Sequence, residues 1–154
     1  VYGPGEIIQL DEKTLSGHAD QYYVVKIREL TVWVPVKEAG ESCLRFPTTA
    51  KDFNKFIDIL STSNELLPTD RLERRNYLNS QMKSKSLEAV CKVIRDLTFY
   101  KHNNKMNDHD NNILNSARNV LIYEWSISLD LTKEQAEEEM DSLIDNSANN
   151  VGKP

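Results

Sequence analysis

At Pro47 the repeat of apolar residues changes from every second position to the helical period, and it stays helical from there on. A chain built this way folds as a sheet followed by a helical unit, not as alternating strands and helices. The centre of the first part is residues 22–36, YYVVKIRELTVWVPV. Tyr23, Val25 and Ile27 point one way, and Tyr22, Val24 and Lys26 the other. Beyond a turn near Arg28-Glu29, Leu30, Val32, Val34 and Val36 share one face while Thr31, Trp33 and Pro35 share the opposite one. Alternation of this kind, dominated by β-branched and aromatic residues, predicts a half-buried hairpin. Its aliphatic face enters a core, which leaves Trp33 on the outer face.

Around that hairpin, Gly3-Pro4-Gly5 predicts a turn, residues 6–10 a short strand, and Leu15-Ser16-Gly17 a bend. Residues 37–42, with Gly40, read as a loop, and residues 43–46 as a last strand stopped by Pro47. So few strands cannot make a sandwich, and a small curled barrel of the SH3 or Tudor type would remove the exposed edges. In the second part, Thr48 or Thr49 caps a helix whose inner face is Phe53, Phe56, Ile57 and Leu60. Asp70 with Glu73 forms a capping box opening a helix to about Lys83. Ser84 or Ser86 caps the next, with Leu87, Val90, Cys91, Ile94 and Leu97 inward. Asp108 caps a long helix with the stripe Ile113, Leu114, Ala117, Val120, Leu121 and Trp125. Thr132 and Gln135 box a short acidic helix to Ile144, with Met140, Leu143 and Ile144 inward. The fold class is therefore α+β: an SH3/Tudor-like barrel over residues 1–47, an all-α unit over 48–144, and a disordered tail over 145–154.

No apolar run reaches the ~18 residues that cross a bilayer, so no membrane span is expected. The first residues are neither basic nor signal-like, and the chain opens inside what reads as a strand, which implies a native start slightly upstream. Cys43 and Cys91 are too sparse for a disulfide framework or a zinc site; they read as small buried apolar residues in a reducing cytoplasm. His18, His102 and His109 do not cluster with acids or thiols, so no metal or cofactor is expected. A Gly-rich phosphate loop, a nucleophile elbow and a tuned carboxylate pair are all lacking, which excludes the enzyme classes these would mark. Nothing demands more than a monomer.

Charge is more informative. The formal net charge is −5, but residues 71–105 carry nine Lys/Arg against three Asp/Glu, and residues 124–145 carry eight acids against one Lys. A basic surface for a polyanion and an acidic, solvated end follow from that segregation. Within the basic stretch, helical spacing puts Arg71, Arg74 and Arg75 on one side of a helix start, with Lys83 and Lys85 beyond its end. Such a cluster suits phosphate contact; equally, it reads as a solvated face with local pairs such as Asp70 with Arg74. Trp33 reads as an interface anchor or as a residue that covers a barrel end or packs on the helical unit. Tyr123 and Trp125 read as core.

The order of VYGPGEI, YYVVKI, LTVWVP, PTDRLERR and VCKVIRDL resembles the CarD/CdnL family of bacterial transcription regulators, from Val1 to about Glu124. The first part is also similar to the RNA-polymerase-interacting module of the transcription-repair coupling factor. The resemblance implies a Tudor-like barrel that holds the β subunit of RNA polymerase, and a helical domain that contacts promoter DNA at the upstream edge of the melted bubble and stabilises the open complex. It places Lys13 and Trp33, with Val34 and Pro35 beside the indole, in the polymerase-binding slots, where the family usually has arginines. Lys13 keeps the charge without the bidentate fork, and Trp33 substitutes an apolar plate. It also puts Arg74 on the DNA backbone, and Arg71, with Leu72 beside it, where the family has a wedge tryptophan. Arg75, Lys83 and Lys85 complete the expected DNA-binding set. The rival expectation is a polymerase-binding adaptor without significant DNA contact.

Overall fold

Three strands and then five helices follow one another along the chain without interleaving: β1 Glu6–Leu15, β2 His18–Ile27, β3 Leu30–Pro35, α1 Ala50–Leu60, α2 Arg71–Lys83, α3 Leu87–Asn103, α4 Asp108–Ser128 and α5 Lys133–Asn150. The computed structural model describes residues 5–15, 18–27, 29–37, 44–84 and 86–150. The chain divides into two compact units, Val1–Pro47 and Thr48–Pro154. The α+β layout read from the period switch is the one observed. Features expected at Gly3, Pro4, Ser16, Gly17, Arg28, Gly40, Cys43, Lys85 and residues 151–154 lie outside the described residues.

The strands form an antiparallel sheet in the order β1-β2-β3. Ile27 pairs with Leu30, Val25 with Val32 and Tyr23 with Val34, and Glu29 lies in a turn. The aliphatic residues therefore share the predicted face. Two expectations change. Val24, on the opposite face, is as buried as Val25, whereas Leu30 at the turn is 56% exposed. Leu44, Arg45 and Phe46 form no strand; the proline that follows them supplies no donor to a ladder. Among the described residues the sheet is thus an open meander, and none of their pairings closes it into the expected barrel.

In the second unit α3 is the axle. Leu87, Ala89, Val90, Cys91, Val93, Ile94 and Leu97 are all buried, and α3 packs against the four other helices. A helix with so wide an apolar face belongs at the centre of a bundle. Burial, with a smaller contribution from Glu88, pushes the Cys91 thiol up to about 12, so Cys91 is a packing residue. The buried charged step on α3, Arg95-Asp96, clamps the α1–α2 loop: Asp96 Oδ1 accepts from the Glu65 N–H at 2.9 Å and from Arg95 Nε at 2.8 Å, and Arg95 Nη1 donates to Thr62 Oγ1 at 2.8 Å. Trp125 is buried edge-on to Phe53, with ring centroids 5.5 Å apart, and its Nε1–H reaches Glu139 Oε2 at 3.2 Å.

Caps fix the helix ends. Thr49, Asp70 and Ser86 cap α1, α2 and α3. Asn107, not Asp108, caps α4; the Asn107 side chain accepts the Asp110 N–H at 2.9 Å. The Thr132–Gln135 box is reciprocal, with bonds of 2.9 and 3.2 Å. Asp130 takes φ of 54° after α4, so that the Leu131 N–H can return to the Ser126 carbonyl at 2.9 Å, a Schellman-type ending. Helix α5 continues to Asn150, past Ile144 and into the segment expected to be disordered. Polar composition suggested an end there, but each residue added to an existing helix gains a hydrogen bond without a new nucleation cost.

Gly5 enters β1 against the side of β2. A Cβ there would lie 2.6 Å from Ile27 Cγ1, 2.8 Å from Val25 Cγ1 and 2.9 Å from the Lys26 carbonyl oxygen. Gly5→Ala is expected to destabilise the sheet by about 1–3 kcal/mol through overpacking. A thermal melt of the whole protein checks this; an unchanged midpoint would mean that β1 yields without cost.

Candidate functional sites

The first site lies on the sheet and depends on one irregularity. The β1–β2 register runs Glu6 with Lys26 and Ile7 with Val25, then resumes at Gln9 with Val24. Ile8 is the extra residue of a bulge. In a sheet a one-residue slip sends every later side chain to the other face. Without the bulge Asp11 and Lys13 would share the face of Val25. With it, Asp11 pairs with Tyr22 and Lys13 with Asp20, on the face that carries Trp33, since Trp33 pairs with Val24.

The consequence is a built cluster. Trp33 donates its Nε1–H to Asp11 Oδ2 at 3.2 Å. The Lys13 ammonium stands 3.8 Å from the indole centroid, a cation–π geometry. Trp33 is 42% exposed and its cross-strand partner Val24 only 5%, so the indole covers the sheet on one side and meets solvent on the other. Val34 and Pro35 are half-buried beside it, and Lys37 pairs with Asp20 at 2.6 Å across the same face. The structure therefore brings Lys13, Trp33 and Pro35 to one face, whereas Val34, paired with Tyr23, lies on the other. Trp33 is not the bare apolar plate expected from the sequence, because it carries the charge of Lys13.

The second site is the start of α2. Asp70 accepts the Leu72 and Glu73 N–H groups, each at 2.9 Å, and so caps the helix instead of pairing with Arg74. Arg71 and Arg75 are exposed and Leu72 is 65% exposed. Arg74 is different. It is 4% exposed; its Nε and Nη2 lie 3.0 Å from Asp110 Oδ2, and Nη1 donates to the Pro68 and Thr69 carbonyls at 3.0 and 3.2 Å. Its guanidinium carbon is 4.7 Å from the Tyr100 ring centroid. The expectation that Arg74 lies on a DNA backbone is corrected: the group is consumed internally. Consecutive helical residues are about 100° apart, so Arg74 and Arg75 cannot share a side closely; Arg74 turns in with Leu78, four residues on, and Arg75 turns out.

The charge of the basic stretch is correspondingly smaller than its sum. Arg95 pairs with Asp96, and Lys92 with Glu88 at 2.8 Å. The Lys92 ammonium is raised and the Glu88 carboxyl lowered by the bond between them. Arg71, Arg75 and Lys83 are exposed, with no ion pair among the described residues. Lys101 and Lys105, at the end of α3 where Tyr100 meets Arg74, are exposed as well. Reading the charge block residue by residue could have added these two to the candidate set. Acids of α5 pair elsewhere, as Asp141 does with Arg118 at 2.6 Å. Among the described residues no group of His, Cys, Asp and Glu could hold a metal, and no helix is long and apolar enough to cross a membrane.

The family model for the CarD C-terminal domain matches residues 55–141, which contain both α2 and the Arg74–Asp110 pair. Over 139 residues the chain is 26% identical to a protein of Bacillus subtilis (strain 168) called "Putative transcription factor YdeB", a match that covers 88% of this chain and 90% of that one.

Two outcomes are expected from these geometries. Arg74→Ala should cost about 3–5 kcal/mol by leaving Asp110 buried and unpaired, while Arg71→Ala and Arg75→Ala should each stay within about 0.5 kcal/mol; urea titration ranks the three. Trp33→Phe should leave fluorescence from Trp125 alone, blue-shifted and shielded from iodide, and a red-shifted, quenchable residual emission would contradict the placement of the two indoles.

Proposed function

The chain belongs to the CarD family, and from that premise we propose that it regulates transcription by binding two partners at once. The sheet holds the β subunit of RNA polymerase through Lys13, Trp33, Val34 and Pro35. The start of α2 meets promoter DNA through Arg71, Leu72 and Arg75, and Lys83 and Lys85 add further contacts. Holding DNA at the upstream border of the melted bubble stabilises the open complex. The protein acts where the polymerase acts, in the cytoplasm.

The observation that carries this reading is the contrast along α2. Arg71 and Arg75, one helical turn apart, are exposed and have no ion pair among the described residues, and Leu72 is exposed next to Arg71, while the other cations of the stretch from Arg74 to Arg95 that have partners are tied to acids of their own domain. Exposed guanidinium groups with an exposed apolar side chain to one side suit a backbone with an opened base step beside it: arginine neutralises phosphate, and leucine is among the residues that enter such steps. On the sheet, the lysine-capped indole combines an aromatic anchor with a positive charge, and this pairing suits a protein surface with an acidic group beside an apolar shelf. The rival, an adaptor that makes no DNA contact, gains support from the internal use of Arg74, which removes one expected phosphate ligand.

Charge reversal separates them. Arg71→Glu with Arg75→Glu is expected to abolish binding to a labelled promoter fragment and to leave binding to a purified β-subunit fragment intact. Wild-type affinity should fall roughly fortyfold when salt is raised about fourfold, the response of about three phosphate contacts. Unchanged DNA binding in the double variant, or a flat salt response, would favour the adaptor.

A further inference from the structure

We propose that Arg74 is a positioning residue of the DNA-contacting surface: it touches no DNA and fixes the first turn of α2, so that Arg71, Leu72 and Arg75 meet a nucleic-acid strand as a preformed set. This rests on the DNA reading given above.

Helix α2 is poorly attached by ordinary means. Of its thirteen residues only Arg74 and Leu78 are buried. Leu78 anchors the middle of the helix in the core. The N-terminal turn has no apolar anchor of its own, since Leu72 points into solvent. What remains is Arg74. Its guanidinium joins the Pro68 and Thr69 carbonyls ahead of the helix to Asp110 at the start of α4, and lies over Tyr100 near the end of α3. Asp110 is fixed in turn, because Asn107 Nδ2 donates to Asp110 Oδ2 at 2.9 Å. One side chain thus ties four segments at the point from which Arg71, Leu72 and Arg75 project. A planar fork with several donors does this, and a lysine would not.

The same geometry denies Arg74 to DNA. A phosphate could claim it only by breaking every one of these bonds and leaving the Asp110 carboxylate buried without its cation. Rigid placement also matters for the residues that remain exposed: a contact set already held in place does not lose orientational freedom on binding.

Asp110→Asn tests the inference because the two roles predict opposite signs. The substitution keeps the shape, removes a negative charge and loosens the hold on Arg74. An arginine that contacts DNA directly would be released by it, and affinity would rise or stay level. A positioning arginine would lose its seat, and affinity would fall about tenfold despite the more positive charge. The readout is fluorescence anisotropy of a labelled duplex carrying a short unpaired bubble, at a temperature where circular dichroism shows the full-length variant folded; lowered stability alone does not change affinity there. If Asp110→Asn does not fold, Tyr100→Leu, which removes the stacked ring and keeps the ion pair, is read the same way. Weaker binding by the folded variant supports the inference, and equal or tighter binding overturns it. The Arg71→Glu, Arg75→Glu protein in the same assay keeps the two levels apart. If it still binds DNA, the DNA reading fails and takes the inference with it. If it does not bind while Asp110→Asn binds as well as wild type, only the inference fails.

Discussion

The buried pair of Arg74 and Asp110 is the constraint on which the helical unit turns. Two charges removed from water are tolerable only when every donor and lone pair is matched, and here the matching partners come from the α1–α2 loop, α2, α3 and α4. An interaction with so many obligations fixes geometry more strictly than an apolar contact of equal size, because a leucine can slide and a guanidinium fork cannot. The Arg95-Asp96 step does the same for the α1–α2 loop. The two pairs hold the two ends of the connection that leads into α2, and that helix buries little apolar surface of its own.

On the sheet the controlling device is the bulge at Ile8. It converts a strand whose acidic and basic residues would face away from Trp33 into one that places Asp11 and Lys13 on either side of the indole. The arrangement explains why a half-exposed tryptophan persists on a small sheet. One part of its ring system shields Val24, its N–H is satisfied by a carboxylate, and its face carries a cation, so the exposed remainder costs little. The residue covers part of its own sheet and leaves the rest of its ring in solvent.

Charge bookkeeping along the chain overstated the basic surface. Lys and Arg are counted alike in a sum, yet the core takes some and the solvent keeps others. Arg74 and Arg95 are inside, Lys92 is matched within its own helix, and the remainder lies on α2 and at the end of α3. A net charge of −5 is compatible with a polyanion partner because what the partner meets is this residue-by-residue distribution, sharpened by the segregation of acids to α5.

The sequence by itself determined the order of sheet and helices, the hairpin of β2 and β3, most helix caps and the apolar stripes of α1, α3 and α4. All of these are local: period, capping side chains and turn position act within a few residues. The tertiary structure alone decided which arginine faces inward, since Asp110 lies 36 positions from Arg74 and no spacing rule links them. It decided that Leu44, Arg45 and Phe46 form no strand, because a strand is defined by its neighbour. It also decided that Lys13 meets Trp33, because a single extra residue in β1 reverses every face that follows it, and a bulge leaves no mark in the alternation of so short a strand.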